Sequence, residues 1–245
     1  MGPDAGFKKE KTVFPFISKL KTFKLCSIFG IPVCVNVSFF LIGLLMVIGS
    51  KSLAMSLTVL VGLGASLVAH ELAHCYAAYE FGYKTHAVTL HMLGAVAEVR
   101  FRSMIPPKQE IIIAAAGPVM SIVLAGLFAI IATLLYTVPC VGAAIAMPFA
   151  SLAAINFVLF TFNILPGFPM DGGRILRGAL TFKKGPKRAT YLTMKTAHVF
   201  AYVLGAAGIA MLVSGIPNGI LSIVIAAFVY IYSKKENEFA EMTLP

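Results

Sequence analysis

The sequence predicts an all-α polytopic membrane protein of about six transmembrane helices, with a small membrane-associated β segment between helices two and three. Three observations carry this. Of the 245 residues, 59% are hydrophobic and only 12% are charged, about half the charge of a typical soluble domain. Mean hydropathy is +0.90. No Asp, Glu, Lys or Arg occurs from Leu25 to Ser50, Ser52 to His70, Ile111 to Met170, or Thr196 to Ser233. These runs of 26, 19, 60 and 38 residues compare with the roughly 20 apolar residues that carry a helix across a bilayer. A water-soluble enzyme, a disordered chain and a disulfide-stapled secreted domain are excluded.

The elements follow in order. The first two runs predict spans over 30–50 and 53–80. The segment after them, Tyr83 to Arg100, carries β-branched residues in partial alternation (Val88, Leu90, Met92, then Val96 and Val99), predicting one or two strands near the membrane. The 60-residue run is too long for one span and breaks at Pro139-Cys140-Val141-Gly142, giving 109–136 and 143–165. The 38-residue run breaks at Ser214-Gly215-Ile216-Pro217-Asn218-Gly219, giving 196–214 and 218–233. Three regions result: a basic cytoplasmic N-terminal tail over 1–28, a six-helix membrane domain over 29–233, and a short cytoplasmic tail over 234–245. The first apolar run shows no small-residue cleavage site and is expected to be retained as a span.

Lys and Arg are held on the cytoplasmic side of membrane proteins. With the N-terminus inside, 19 of the 20 Lys and Arg fall in inner segments and only Lys51 lies outside. Both termini are therefore expected in the cytoplasm. The net charge of +10 then reflects loops that meet anionic membrane lipids, and no nucleic acid partner is expected because no segment forms a soluble basic domain. Cys26, Cys34, Cys75 and Cys140 form no CxxC pair and read as small packing residues.

Within this apolar chain, Glu71 stands near the end of the second span, between His70 and His74. A charge inside a bilayer costs about 2.5–3.5 kcal/mol even on lenient scales, so such a group normally faces a protein interior or a wet cavity. His70 and His74 are four residues apart, one turn above the other on a single helix face. Two imidazoles so placed can ligate one zinc ion, with Glu71 beside it as a general base; this is the HExxH pattern. A catalytic zinc takes three protein ligands and keeps one open position. His86, His91, His198 and Asp171 are candidates for the third. Asp171 closes the longest uncharged run, at the end of the fourth span and on the side where the second span ends. By itself an Asp ahead of two glycines reads as a turn or helix cap, but its depth beside His70 and His74 reverses that preference. His86, His91 and His198 are single histidines that read more simply as packing or hydrogen-bonding groups.

The pattern His70-Glu71-Leu72-Ala73-His74, together with Asn163-x-x-Pro166 and Pro169-Met170-Asp171-Gly172-Gly173-Arg174, resembles the site-2 protease family of intramembrane zinc metalloproteases. Ala116-Gly117-Pro118 and Leu93-Gly94-Ala95-Val96-Ala97 resemble it too, and the likeness covers roughly 28–215. It implies His70, His74 and Asp171 as ligands of one zinc ion per chain, Glu71 as general base, and Asn163 as a holder of substrate or oxyanion. It implies a single-pass membrane protein as substrate, cut within its transmembrane segment near the cytoplasmic side in a prokaryotic cell membrane. The chain is expected to be a compact form, without a PDZ-like insertion or a CBS domain. The strands near 83–100 are expected either to pair with an unwound substrate by strand addition or only to plug the cytoplasmic face.

Other functional classes remain. A di-iron oxygenase or desaturase needs more His-x-x-x-His ligands than five histidines supply. A metal transporter using the same site, or a catalytically silent client-binding relative, fits the same residues.

Overall fold

The computed structural model describes residues 21–41, 43–44, 53–91, 94–100, 105–139 and 142–243. It is mostly helical with one small sheet. The elements are β1 (Thr22–Ile28), β2 (Ile31–Asn36), α1 (Leu53–Glu80), β3 (Lys84–His91), β4 (Gly94–Arg100), α2 (Pro107–Tyr136), α3 (Gly142–Asn163), α4 (Asp171–Lys184), α5 (Pro186–Val213) and α6 (Gly219–Thr243).

The sheet has the order β1-β2-β3-β4. β1 and β2 form an antiparallel hairpin in which Ile28 pairs with Ile31. Its two turn residues, Phe29 and Gly30, both have positive φ (51° and 78°), which is what a two-residue turn matching the twist of its strands requires. β2 then runs parallel to β3 through Val33–Val88 and Val35–Leu90, and β3 pairs antiparallel with β4. Val33, Val35, Val88 and Leu90 alternate onto one buried face. Val35 and Leu90 join Phe39 and Leu67 in one core, so the sheet seats on α1 one turn before His70.

The strands expected over 83–100 are therefore present, joined by two that the sequence reading did not anticipate. The expected first span over 30–50 is corrected at its start, because 31–36 are strand; 39–41 and 43–44 are helical, and 45–50 lie outside the described residues. Of the expected N-terminal tail, 22–28 are β1 and 1–20 lie outside the described residues. An uncharged run reports apolar surface, and that surface serves a buried strand as well as a membrane helix.

Among the described residues, α1, α2, residues 145–163 of α3, and α5 are long and apolar enough to cross a membrane. This supports an integral membrane protein. The expected span over 218–233 forms the first part of α6. That helix continues through Lys234, Lys235 and Glu236 to Thr243, so its apolar stretch is short. The sequence reading did not separate α4, which lies outside the spans. Its charged residues, Arg174, Arg177, Lys183 and Lys184, explain why no apolar run marked it.

α2 and α3 form a helical hairpin and α5 and α6 a second, with α4 packed between α2 and α5. At Gly178 of α4 the approach to α2 is tight: an added Cβ would lie 2.7 Å from Ile111 Cγ1 and 3.0 Å from the Pro107 carbonyl oxygen. A second core joins Met170 to Ala197 and Ala201 of α5 and to Val229 of α6. Met170 immediately precedes Asp171, so the second hairpin anchors the chain at the point where α4 begins.

Candidate metal centre

α1 brings His70 and His74 to one buried face, as the four-residue spacing predicts. The facing surface is a stripe of α2 at positions 113, 117 and 121, again four apart. His74 Nδ1 donates to the Ile113 carbonyl oxygen at 2.7 Å, and His70 Nδ1 lies 2.8 Å from Ser121 Oγ. Gly117 stands between them; a Cβ there would collide with the Nε2 atoms of both imidazoles. The sequence reading noted Ala116-Gly117-Pro118 but missed Ile113 and Ser121. Their spacing on either side of Gly117 was the available signal.

Asp171 arrives from the far side. The chain leaves α3 at Asn163 and folds tightly through 164–170, with a cis peptide bond at Phe168-Pro169. Thr196 Oγ1 donates to the Pro166 carbonyl at 2.6 Å, and Phe168 and Met170 are buried. Added Cβ atoms at Gly172 and Gly173 would strike the backbone of Ile164, Leu165 and Gly167, so only glycine allows the turn to close on itself. The chain thus bends through Pro166, Gly167 and Pro169.

The outcome is a triangle. His70 Nε2 and His74 Nε2 are 3.2 Å apart, and Asp171 Oδ2 lies 3.2 Å from the first and 3.3 Å from the second. Because His74 Nδ1 faces a carbonyl, it must carry the proton, and in the neutral ring Nε2 then presents a lone pair. His70 adopts the same arrangement if Ser121 accepts. Lone pairs of two imidazoles and a carboxylate then converge, which is unfavourable unless a cation sits among them. Two donors each 2.0–2.1 Å from zinc at the tetrahedral angle lie about 3.3 Å apart. The triangle fits that figure, and the engaged Nδ1 atoms supply the outer hydrogen bonds that orient metal-bound histidines. Burial pushes the Asp171 carboxyl up, but hydrogen bonds and charge from His70 and His74 outweigh it and hold the group below the usual carboxylate range. It is therefore available as an anionic ligand.

Glu71 offers its carboxylate within the same cluster, whose His70, Glu71 and His74 ligand atoms all lie within 4.8 Å of one another. Asn163 sits at the end of α3 and donates through Nδ2 to the Leu159 carbonyl at 3.0 Å, leaving a second N–H on that amide. His86 and His91 lie on β3. His198 is on α5 and stacks on Tyr230, with ring centroids 4.2 Å apart. None of the three joins the cluster.

Beside the centre, Arg177 of α4 donates from Nε to Glu110 Oε1 at 2.8 Å, and its NH2 group closely approaches the same oxygen. Its NH1 group reaches Glu236 of α6 at 2.8 Å, and its guanidinium lies 5.2 Å from the Phe168 ring centroid. These contacts tie α2, α4, α6 and the turn before Asp171 together.

Residues 58–146 and 139–204 match peptidase family M50. A zinc metalloprotease of Methanocaldococcus jannaschii is 30% identical over 222 residues, covering 89% of this chain and 61% of the relative. Rip3 of Mycobacterium tuberculosis strain H37Rv is 36% identical over 174 residues, covering 70% of this chain and 44% of the relative. The chain thus spans less than two thirds of the length of either. A site-2 protease from Methanocaldococcus jannaschii is similar in structure, with a TM-score of 0.61 and 28% identity, covering 89% of this chain and 95% of that one.

Proposed function

The chain belongs to peptidase family M50, and from that premise we propose that it is an intramembrane zinc-dependent endopeptidase. Its substrates are single-pass membrane proteins, cut within their transmembrane segments near the cytoplasmic side. The observation that carries this reading is the triangle of His70 Nε2, His74 Nε2 and Asp171 Oδ2, with sides of 3.2–3.3 Å and Glu71 beside it.

His70, His74 and Asp171 would hold the zinc ion. Bound there, zinc supplies Lewis acidity at the scissile carbonyl and lowers the pKa of a water towards about 7. Glu71 accepts the proton of the attacking water and passes it to the leaving amine. The second N–H of the Asn163 amide is offered to the developing oxyanion. Ser121 and the Ile113 carbonyl keep the two imidazoles in one orientation throughout. The substrate must be unwound before its peptide bond is accessible. Among the described residues β4 is an edge strand, and we assign to it the backbone pairing that holds the unwound segment.

The distribution of Lys and Arg supports cytoplasmic termini, and the family likeness suggests a prokaryotic cell membrane. Surrounding membrane lipids are the other expected partner.

The test is Glu71→Gln in the full chain, reconstituted with a single-pass client. Zinc content should match wild type while cleavage falls by at least two to three orders of magnitude, the scale of a positioned general base. A variant that keeps its zinc and still cuts at wild-type rate would remove Glu71 from its role. A wild-type protein that moves metal across vesicles and cuts nothing would favour the transporter. For the strand-addition step, proline is placed in turn along β4. The expected result is cleavage lost at alternate positions in protein that still folds; if no position reduces cleavage more than it reduces folded yield, the pairing is refuted.

A further inference from the structure

The junction of α4 and α5 carries a second feature, independent of the metal centre and of the peptidase reading. Lys184, Gly185, Pro186, Lys187, Arg188 and Tyr191, with Glu241 of α6, line an open cleft of about 670 Å³. Three of these residues are cations and one is an acid. Glu241 Oε1 accepts from Asn237 Nδ2 at 2.7 Å, and the acid leaves the cleft with a net positive charge of two.

Arg177, on the same helix as Lys184, is paired with two glutamates, and Lys234 lies 3.9 Å from Glu238. Among the described residues no carboxylate pairs with Lys183, Lys184, Lys187, Arg188 or Lys195. Arg188 and Lys195 instead converge on one ring: the guanidinium lies 5.5 Å and the ammonium 4.9 Å from the Tyr191 centroid. Two exposed cations beside one ring, with no carboxylate paired to either among the described residues, make a local positive field that favours an anion.

The position of the cleft identifies the source of that anion. Lys195 is the last charged residue before the uncharged run that begins at Thr196, so the hydrocarbon boundary falls close to it. At about 1.5 Å per helical residue, Tyr191 lies about 6 Å and Arg188 about 10 Å outward from Lys195. The headgroup layer is about 5–8 Å thick on each side of the hydrocarbon, and tyrosine is enriched there. Tyr191 therefore lies within the headgroup layer and the cations of the cleft just outside it, where long Lys and Arg side chains can reach back to lipid phosphates.

We propose that this cleft is a binding site for the phosphate headgroup of an anionic phospholipid, held by Lys184, Lys187 and Arg188, with Tyr191 and Lys195 at its membrane edge. The experiment uses the full chain in bilayer nanodiscs of phosphatidylcholine doped with phosphatidylglycerol, with retained phosphatidylglycerol read by native mass spectrometry. Lys187→Gln/Arg188→Gln changes two exposed residues of the cleft. Lys234→Gln/Lys235→Gln removes the same charge from α6 outside the cleft lining. Thermal midpoints in pure phosphatidylcholine discs should agree among the three proteins, which shows that all are folded.

Each surface cation is worth about a fivefold change in anionic-lipid binding, so the cleft double should lose about thirtyfold in apparent affinity. The α6 double should stay within a few-fold of wild type. Equal losses in the two doubles would show that net charge alone attracts the lipid and would overturn the site. Displacement of the lipid by inorganic phosphate in the same discs would show that a soluble anion is the ligand and would overturn the lipid assignment.

Discussion

Gly117→Ala tests the metal centre at its tightest point. A Cβ at Gly117 would lie 2.5 Å from His70 Nε2 and closer still to His74 Nε2. Carbon and nitrogen in ordinary contact stand about 3.5 Å apart, so at least one imidazole, or the backbone of α2, must move by about 1 Å. A metal site tolerates donor displacements of only about 0.2 Å. The substitution therefore exceeds the tolerance about fivefold, and zinc affinity should fall by at least two orders of magnitude. Helix α2 itself should not suffer, because alanine is a better helix former than glycine by about 1 kcal/mol. The measurement is zinc affinity by chelator competition, with helical content and thermal midpoint read in the same detergent. Folded Gly117→Ala protein that binds zinc with wild-type affinity would refute the packing of α2 against the ligand pair.

Four further outcomes follow from neighbouring contacts. Ser121→Ala removes the partner of His70 Nδ1 and should weaken zinc binding about 10- to 100-fold, the usual effect of losing an outer hydrogen bond; the same chelator competition checks it. Arg177→Ala leaves Glu110 buried without its cation and should destabilise the fold by about 3–5 kcal/mol, read by denaturant unfolding in detergent. Glu236→Gln should cost clearly less, because that carboxylate is 27% exposed against 9% for Glu110. Gly172→Ala drives a Cβ into the carbonyls of Ile164 and Leu165. It should lower the yield of folded protein in size-exclusion profiles more than Gly117→Ala does, because backbone cannot rotate away as an imidazole can.

Legibility in the sequence followed the range of the interactions. Spans 53–80, 109–136 and 143–165 were read almost to the residue, since long uncharged runs bounded by turn residues report a local property. The strands near 83–100 were read from alternation. β1 and β2 were not, because the hairpin Phe29-Gly30 lies inside an uncharged run, and pairing with β3 about fifty residues away decides that 31–36 extend and do not coil.

At the site, the chain alone determined that His70 and His74 share a face, since a four-residue spacing on a helix fixes that without reference to anything else. That Asp171 joins them was a matter of family likeness and expected depth until the fold placed its oxygen 3.2 and 3.3 Å from the two imidazoles. Tertiary structure alone decided that the partners of the imidazoles are Ser121 and the Ile113 carbonyl, and that Gly117 must lack a side chain. It also decided that Arg177 holds α2 and α6 together. The physical reason is the same in each case. Periodicity records which way a side chain faces, whereas what it meets there depends on how separate helices pack.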